Sequence, residues 1–373
     1  MSGQAGMRRR LQNNTSFGES KRLVTFAVAV VILAWGVFLC GNRAWLWIEE
    51  RHTRGIFMVT GRIRAEVQNR DSLKRVETLI LGDSTALMTI VPGEISDPAK
   101  PGSVRSFAFH VAGAAESLSI YRQAKRNGLQ PKCVVLMYSY GGYKYHLELD
   151  HWWLLAHSGV LSFDEKEEIR RISEEKRVPP GHSISRSLFM LKAGVLSFVY
   201  GGLPLGFVRE RLLNPIWRER TKRDQKYYDE SYGWYPLFRP DVRTFPVQDQ
   251  TVWSRHLENT FQTQPMFDHY YRELVEEIVR DGSKVALMFG PLAQSLRTPN
   301  TEAWFGAYRS HILSLAGLNE LGEGRHEISD QLELEFRPDD HFVDPSHLYY
   351  RNAWEWSAEN VERIRTCGGL LVL

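Results

Sequence analysis

A serine stands where an apolar strand meets the start of a helix. In "LILGDSTALM", residues 79–88, the strand-forming residues stop at Gly82-Asp83 and Ser84 follows. A serine hydroxyl becomes an effective nucleophile when a histidine lies within hydrogen-bond reach and a carboxylate orients that histidine. Because sites in open α/β sheets form outside the carboxyl ends of the strands, Ser84 has the position that such chemistry needs.

The candidate base lies near the C-terminus, in "HFVDPSHLYYRN" at 341–352. Asp344 and His347 are three residues apart, and on a turn that opens into a helix this spacing places both side chains on one side. The carboxylate can then hold the imidazole ring, and Pro345 stiffens the turn. We therefore predict Ser84 as nucleophile, His347 as general base and Asp344 as the orienting carboxylate.

The other acids and histidines of these two motifs have simpler interpretations. Asp83 is expected to structure its loop rather than to act as a second catalytic acid. The run "RPDDHFVDPSH", 337–347, brings acids and histidines close enough together to suggest a metal site. Ser84 makes serine chemistry the better explanation of the same residues, so no metal and no other cofactor is predicted.

The segments around these motifs predict an α/β domain. Continuous apolar strands are predicted in "VETLILGDS", "PKCVVLMYSYGG" and "SKVALMFGP", with a shorter strand in "VRSFAF". Helices are predicted in "AAESLSIYRQAKRNG", "MFDHYYRELVEEIVRDG" and after "DPSHL". Apolar strands that alternate with helices are typical of a parallel sheet buried on both faces. No strand is predicted near 325–335, where the sequence is acidic.

The segment Leu23–Gly41, "LVTFAVAVVILAWGVFLCG", has 19 residues and no charge. As a helix it would rise about 28 Å, close to the thickness of the bilayer hydrocarbon. Basic residues precede it, and Trp45 and Trp47 follow it, which suits a cytoplasmic tail over 1–22 and an aromatic belt on the far side. We predict a single-pass anchor in the inner (plasma) membrane, with the catalytic domain extracytoplasmic, in the periplasm of a Gram-negative cell.

Two other interpretations of this segment fit less well. A cleaved signal peptide would have a shorter apolar core and a small-x-small exit, which "FLCGNRA" does not match. A lipoprotein signal would use Cys40, but Leu39 before it is bulkier than the small residue usual at that position.

The rest of the chain divides by pattern. Residues 42–75 are charged and helical in pattern, and predict a stalk. Residues 76–373 predict the α/β domain, interrupted by an irregular inserted lobe at about 144–265. Within the lobe, 187–208 is apolar enough to raise a second membrane span. A crossing there would separate the two halves of the predicted site, so this stretch is interpreted as lobe core or as a membrane-surface patch.

The composition limits the function classes. The net charge of +3 is too balanced for the basic surface of a nucleic-acid-binding protein, so no nucleic-acid partner is expected. Aromatic residues make up 12% of the chain, and those of 227–235 either stack on sugar rings or form the core of the lobe. Both alternatives stay open.

The three cysteines give little direction. Cys40, Cys133 and Cys367 are far apart in the sequence and form no Cys-x-x-Cys pair, so neither a zinc site nor a thioredoxin-like motif is indicated. A disulfide between Cys133 and Cys367 is possible, but the spacing gives it no positive support.

Gly-Asp-Ser after the first strand, with "FVDPSHL" before the last helix, resembles the SGNH (GDSL-type) hydrolase family over about 78–145 and 266–365. The resemblance implies a three-layer α/β/α flavodoxin-like fold with a mostly parallel sheet. It also assigns the catalytic triad to Ser84, His347 and Asp344.

The same resemblance implies an oxyanion hole. Backbone N–H groups of Ser84 and of Gly113, in "HVAGAAE", would bind the negative charge that develops on the substrate oxygen. The third block of the family, Gly-x-Asn-Asp, is missing, and "YSYGGY" stands after the third strand instead. Ser139 is the candidate third donor in place of the asparagine.

The order of anchor and domain is similar to that of AlgJ/AlgX-like and DltD-like proteins. This similarity implies acyl transfer to, or removal from, a cell-surface or exported polysaccharide, beside a membrane-bound O-acyltransferase. Two alternative functions are therefore predicted. One is an extracytoplasmic serine esterase or O-acetyltransferase, and the other is a catalytically inactive SGNH scaffold that binds glycan or bridges to the acyltransferase.

Overall fold

The computed structural model describes residues 56–110, 112–139, 228–234, 265–319 and 324–368, with isolated positions within 25–29 and 165–172 and at 226, 257 and 261. Among these residues, no helix is both long enough and apolar enough to cross a membrane. Most of the predicted anchor, the segment 187–208 and most of the predicted lobe lie outside the described residues.

The described helices and strands begin at residue 56. In chain order they are α1 (Ile56–Val67), α2 (Arg70–Leu73), β1 (Thr78–Gly82), α3 (Ser84–Thr89), α4 (Pro92–Ile95), β2 (Val104–Ser106), α5 (Ala114–Arg126), β3 (Cys133–Met137), α6 (Pro265–Arg280), β4 (Lys284–Met288), β5 (Leu292–Ala293), α7 (Pro299–Ala316), β6 (Ile328–Gln331), β7 (Phe336–Arg337), β8 (Phe342–Asp344), β9 (His347–Leu348), α8 (Tyr350–Glu359) and α9 (Val361–Arg365).

The central sheet has five parallel strands in the order β2-β1-β3-β4-β6. The chain starts in the interior of the sheet at β1, moves outward to β2, and returns to the other side of β1 at β3. The direction of winding therefore reverses between β1 and β3. The crevice outside the carboxyl ends of such a strand pair is the usual place for a site in an open α/β sheet.

Helices cover this sheet in two groups. Helix α5 packs on α6, and α6 packs on α7, whereas α8 packs on α3 and α4. Strands β1 and β3 are buried along their whole length, as their continuous apolar sequences require. The predicted α/β class with a mostly parallel sheet is confirmed, and the two helix groups are consistent with three layers.

The prediction that no strand lies near 325–335 is wrong, because β6 pairs with β4 in that region. Strand β6 forms one edge of the sheet, and its middle residues Ser329 and Asp330 are only half-buried. Asp330 forms an ion pair with Arg309 of α7. An edge strand needs no continuous apolar run, so the acidic sequence concealed it.

The predicted stalk over 42–75 also differs from the structure in its second half. Val59, Ile63 and Val67 of α1 are buried in the core of the domain. They recur every four residues and so share one face of the helix, whereas the charged residues that suggested a stalk lie between them. The segment from α1 onward is therefore part of the α/β domain.

Cys133 and Cys367 form a disulfide, which the sequence spacing did not support. The bond joins the start of β3 to the residues after α9, across a sequence separation of 234 residues. Only the packing of α9 beside the sheet brings the two cysteines together, and spacing along the chain carries no signal for that. A crosslink that closes so long a loop restricts the unfolded chain strongly.

Gly82 allows the close approach of the chain at the end of β1. Its φ is +150°, and a Cβ there would lie 1.8 Å from the carbonyl oxygen of Met137, its partner residue in β3. We expect Gly82→Ala to lower the free energy of unfolding by at least about 3 kcal/mol, because neither strand can move aside. Urea unfolding followed by circular dichroism measures the loss.

Gly282→Ala is the matched control for this prediction. Gly282 also has a positive φ, +84°, but a Cβ there meets nothing within 4 Å. The expected loss is about 1–2 kcal/mol, from backbone conformation alone. Equal losses in the two variants would contradict the steric role of Gly82.

Candidate active site

Ser84 is the first residue of α3, directly outside the carboxyl end of β1. Asp83 is the N-cap of this helix, and its side chain accepts a hydrogen bond of 2.9 Å from the Thr85 N–H. Within 78–90, Ser84 is the one residue that is not fully buried. The strand end and the helix cap therefore hold the serine hydroxyl at an accessible point on an otherwise buried edge.

The small antiparallel pair β8–β9 positions the other two side chains. Asp344 ends β8, His347 begins β9, and the connection between them contains only Pro345 and Ser346. The Ser346 N–H and hydroxyl donate to Asp344 Oδ1 at 3.0 and 3.2 Å. The Pro345 carbonyl accepts from the Ala293 N–H at 3.0 Å, which attaches this turn to the body of the domain.

Ser84, His347 and Asp344 form one hydrogen-bonded chain. His347 Nε2 lies 2.9 Å from Ser84 Oγ, and His347 Nδ1 lies 2.7 Å from Asp344 Oδ2. The structure thus brings together three residues from the two ends of the domain, in the connectivity of nucleophile, base and orienting carboxylate. The carboxylate fixes the tautomer with a proton on Nδ1, and this leaves Nε2 to accept the serine proton.

Buried charges tune this chain of groups. Burial alone would lower the pKa of His347, but the negative charge of Asp344, its hydrogen bond and the charge of Asp83 outweigh burial and raise the pKa above its ordinary value. Burial alone would raise the pKa of Asp344, but His347 and the donors of Ser346 outweigh it and lower the pKa. The environment therefore favours an ionised carboxylate beside an imidazole that accepts a proton readily.

Asp83 joins the ends of two neighbouring strands. Besides capping α3, it accepts a hydrogen bond of 2.8 Å at Oδ2 from the Ser139 N–H, which follows β3. Burial raises the pKa of Asp83, while hydrogen bonds from Ser139 and Thr85 and the nearby His347 act against that rise. This is the geometry of a carboxylate that structures its loop and contributes a charge to the site.

Two of the three N–H or O–H donors predicted for the oxyanion are already hydrogen-bonded. The Gly113 N–H donates to Glu116 Oε2 at 2.7 Å, in the cap of α5. The Ser139 N–H and hydroxyl both bond to Asp83. In this structure both N–H groups anchor secondary structure, and their assignment to the oxyanion stays a prediction. The Ser84 N–H has no hydrogen-bond acceptor among the described residues.

His110 is a residue of this edge that the sequence reasoning missed. It follows β2 by four positions, is 7% exposed, and lies close enough to His347 for the two charges to interact. Burial and the charge of His347 lower its pKa to about 3. The available signal was its position, because it is a histidine in the loop after a strand of the parallel sheet.

The structure also bears on the aromatic residues and the suggested metal site that the sequence analysis considered. Tyr228 and Trp234 are buried, and Trp234 Nε1–H donates to the Met88 carbonyl at 3.1 Å, so at these two positions the core alternative holds. Over the residues that the structure describes, no three His, Cys, Asp or Glu side chains are arranged to hold a metal ion. The motif at 337–347 directs Asp344 and His347 toward Ser84 instead.

Comparison with known proteins adds no family to this geometry. A scan against protein-family models finds no match to the chain, and a search of curated proteins finds no relative. The site itself has hydrogen-bonded Ser, His and Asp side chains in the arrangement that nucleophilic serine catalysis uses.

The pH profile of activity tests the Asp344–His347 pair. Because His347 must be neutral to act as base and its pKa is raised, the acid limb of kcat/KM in the wild type is expected above about pH 6.5. In Asp344→Asn the loss of the negative charge lowers the His347 pKa, so the limb moves to lower pH while kcat falls by about 10³–10⁴-fold.

Asp340→Asn is the control for this shift. Asp340 is an exposed carboxylate four residues upstream of Asp344. Its removal should leave both kcat and the acid limb in place. An acid limb that stays fixed in Asp344→Asn would show that Asp344 does not set the protonation of the base.

Proposed function

We propose that the chain is an SGNH-type serine esterase or O-acetyltransferase that acts outside the cytoplasm on acyl esters, acetyl above all, of a cell-surface or exported polysaccharide. One observation carries the proposal: Ser84 Oγ, His347 and Asp344 lie in continuous hydrogen-bond contact. No cofactor is required, because the serine supplies the nucleophile and the histidine carries the proton.

The reaction proceeds through an acyl-enzyme. Ser84 Oγ attacks the acyl carbonyl, its proton moves to His347 Nε2, and the carbonyl electrons move to the oxygen. When this tetrahedral intermediate collapses, the bond to the leaving sugar oxygen breaks and that oxygen takes the proton from His347. Water or a second sugar hydroxyl, deprotonated by His347, then attacks the acyl carbonyl. The bond to Ser84 Oγ breaks as Oγ takes the proton back from His347, which restores the free enzyme.

The sheet supports the SGNH assignment and its three-layer, flavodoxin-like arrangement. The strand order β2-β1-β3-β4-β6 is that of a doubly wound sheet whose crevice lies between β1 and β3. Ser84 follows the first strand, and Asp344 and His347 come directly before α8. This is the order in which the SGNH motifs occur along the chain.

The disulfide supports a location outside the cytoplasm. Structural disulfides persist in oxidising compartments and are rare in the cytosol. The Cys133–Cys367 bond therefore agrees with the direction in which the anchor predicted over 23–41 would deliver the domain. We propose a single-pass inner-membrane protein with a cytoplasmic N-terminus and a periplasmic catalytic domain.

An aromatic surface beside the site supports a sugar substrate. Trp354 is 37% exposed and stacks on Tyr350, with ring centroids 5.6 Å apart and planes inclined by 25°. Tyr350 begins α8, three residues after His347, so Trp354 lies about 6 Å farther along the helix axis. Flat apolar faces on the helix that directly follows the Asp344–His347 turn suit the stacking of a sugar ring.

A second candidate function is the inactive SGNH scaffold that binds glycan or bridges to a membrane-bound O-acyltransferase. The observation that favours it is the engagement of Gly113 and Ser139, two predicted oxyanion donors, in other hydrogen bonds. The intact contact between Ser84 and His347 favours the enzyme. In either case a membrane-bound O-acyltransferase is the proposed partner.

Labelling of Ser84 separates the two functions. The full-length chain, purified in detergent, is treated with a fluorophosphonate and with p-nitrophenyl acetate. We expect one phosphonyl adduct, on Ser84 by peptide mass spectrometry, together with ester turnover, because the serine is activated by His347. Both signals should be lost in Ser84→Ala and reduced at least about 10³-fold in His347→Ala.

Absence of both signals from the folded wild type would favour the scaffold. Adding an acetylated oligosaccharide and an unacetylated acceptor then divides the enzyme outcome in two. Release of acetate identifies the esterase, and acetyl transfer to the acceptor identifies the transferase.

The aromatic surface gives a separate prediction. We expect Trp354→Ala to raise KM for an O-acetylated oligosaccharide by about tenfold, since one stacking contact is lost. KM for p-nitrophenyl acetate, which has no sugar ring, should change less. Arg351→Ala on the same helix removes an 86% exposed side chain without a ring, and should leave KM for the oligosaccharide unchanged. Equal effects of the two variants would contradict a stacking role.

A further inference from the structure

The site needs more than one hydrogen-bond donor for the charge that develops on the substrate oxygen. Donors aimed at this oxygen are commonly the largest single source of stabilisation in acyl transfer. The Ser84 N–H is free among the described residues, but Gly113 and Ser139 donate to Glu116 and Asp83. If Ser84 acts as an enzyme nucleophile, another donor has to lie at the carboxyl edge of the sheet.

His110 is placed at this edge by the backbone. The Phe109 N–H donates to the Gly82 carbonyl at 3.3 Å, so the loop after β2 lies against the residues that lead into Ser84. The next residue is His110, which is only 7% exposed and lies near His347. Its Nε2 atom is buried and has no hydrogen-bond partner among the residues that the structure describes.

A buried nitrogen without a partner is costly to maintain in a fold. Such a group is explained when a ligand supplies the missing contact. The substrate fits this role, because the loop is bonded to Gly82, two residues before Ser84, and His110 lies near His347. The contact that a neutral imidazole can offer to a carbonyl oxygen is a hydrogen bond from its N–H.

We propose that His110 is a catalytic oxyanion donor, whose Nε2–H donates a hydrogen bond to the acyl carbonyl oxygen as Ser84 attacks. This inference rests on the proposed function and deepens it, since it names the group that takes the place of the absent asparagine. His110 keeps its proton throughout. The proton of Ser84 goes to His347, and the carbonyl electrons go to the oxygen that His110 and the Ser84 N–H bind.

The two histidines differ in the way that their two roles require. His110 has a pKa lowered to about 3 and stays neutral, whereas the pKa of His347 is raised. A neutral imidazole is a poor base at this pKa but a good hydrogen-bond donor, and it adds no positive charge to oppose protonation of His347. Environments that separate two titratable groups in this way separate an electrophile from a base.

Amide substitutions at His110 test the position of the donor. Gln places its side-chain nitrogen close to the position of imidazole Nε2, and Asn places it close to Nδ1. With the full-length chain and p-nitrophenyl acetate, His110→Asn is expected to lower kcat by about 10²–10³-fold. His110→Gln is expected to recover at least about tenfold of that loss. His110→Leu, which has no donor, should match His110→Asn.

The acid limb of the pH profile shows whether His110 acts on the oxyanion or through His347. Under the proposal the limb stays at its wild-type position in all three variants, because the base is unaltered. A loss of kcat accompanied by a shift of the limb would overturn the proposal, since it would place His110 among the groups that tune His347. Equal activity of His110→Asn and wild type would overturn it as well.

Two controls keep the outcomes distinct. His326→Leu removes a histidine whose side chain is 91% exposed and should leave kcat unchanged. Thermal melts establish that each variant is folded, and if His110→Leu fails to fold, the comparison of the Asn and Gln variants decides. A folded wild type with neither turnover nor Ser84 adduct would overturn the proposed function, and with it this one. Turnover by the wild type that is undiminished in His110→Asn would overturn this inference alone.

Discussion

The buried carboxylate of Asp83 holds together the edge of the sheet at which Ser84 lies. One oxygen accepts from the Thr85 N–H and starts α3, and the other accepts from the Ser139 N–H at the end of β3. A single side chain therefore joins the two strands between which the winding reverses. Ser84 is the next residue in sequence, so the orientation of its side chain depends on the two hydrogen bonds that Asp83 accepts.

This use of backbone donors has a chemical consequence. An N–H group that caps a helix or joins two strands does not at the same time point at a substrate, and both Ser139 and Gly113 are used in this structural way. These bonds make the carboxyl edge of the sheet more rigid. They also occupy the two N–H groups that the resemblance to SGNH hydrolases suggested as oxyanion donors. Under the proposal made above, a side-chain donor such as His110 would complete the site without weakening the caps, and this would connect the missing asparagine to the burial of this histidine.

How well each feature could be predicted from the sequence depends on whether it is set by neighbouring residues or by residues far apart in the chain. Strand β1, Ser84 and the Asp344–His347 turn could be predicted because each depends on local signals: an apolar run, a glycine exit and a three-residue spacing. Strand β6 and the Cys133–Cys367 bond could not, because an edge strand has no apolar signature and the disulfide depends on the docking of α9. The bond from the Gly113 N–H to Glu116 is different, because it spans only three residues and Glu116, at the third position of α5, was a local capping signal that the sequence analysis did not use.

The segment around β8 and β9 supplies two of the three groups of the proposed triad, so the geometry of the site depends on how this segment docks. His347 is 263 residues from Ser84 in sequence, and no local interaction could hold the two at 2.9 Å. The segment is fixed beyond the site as well, since Ser357 of α8 donates to the Thr89 carbonyl and accepts from the Val91 N–H. These bonds attach α8 to the end of the same helix, α3, that Ser84 begins. Farther on, the disulfide holds Cys367, after α9, against the start of β3. Helix α3 therefore positions both residues of this contact. Ser84 is its first residue, and His347 directly precedes α8, which is packed along α3. This shared support maintains the contact between two residues so far apart in sequence.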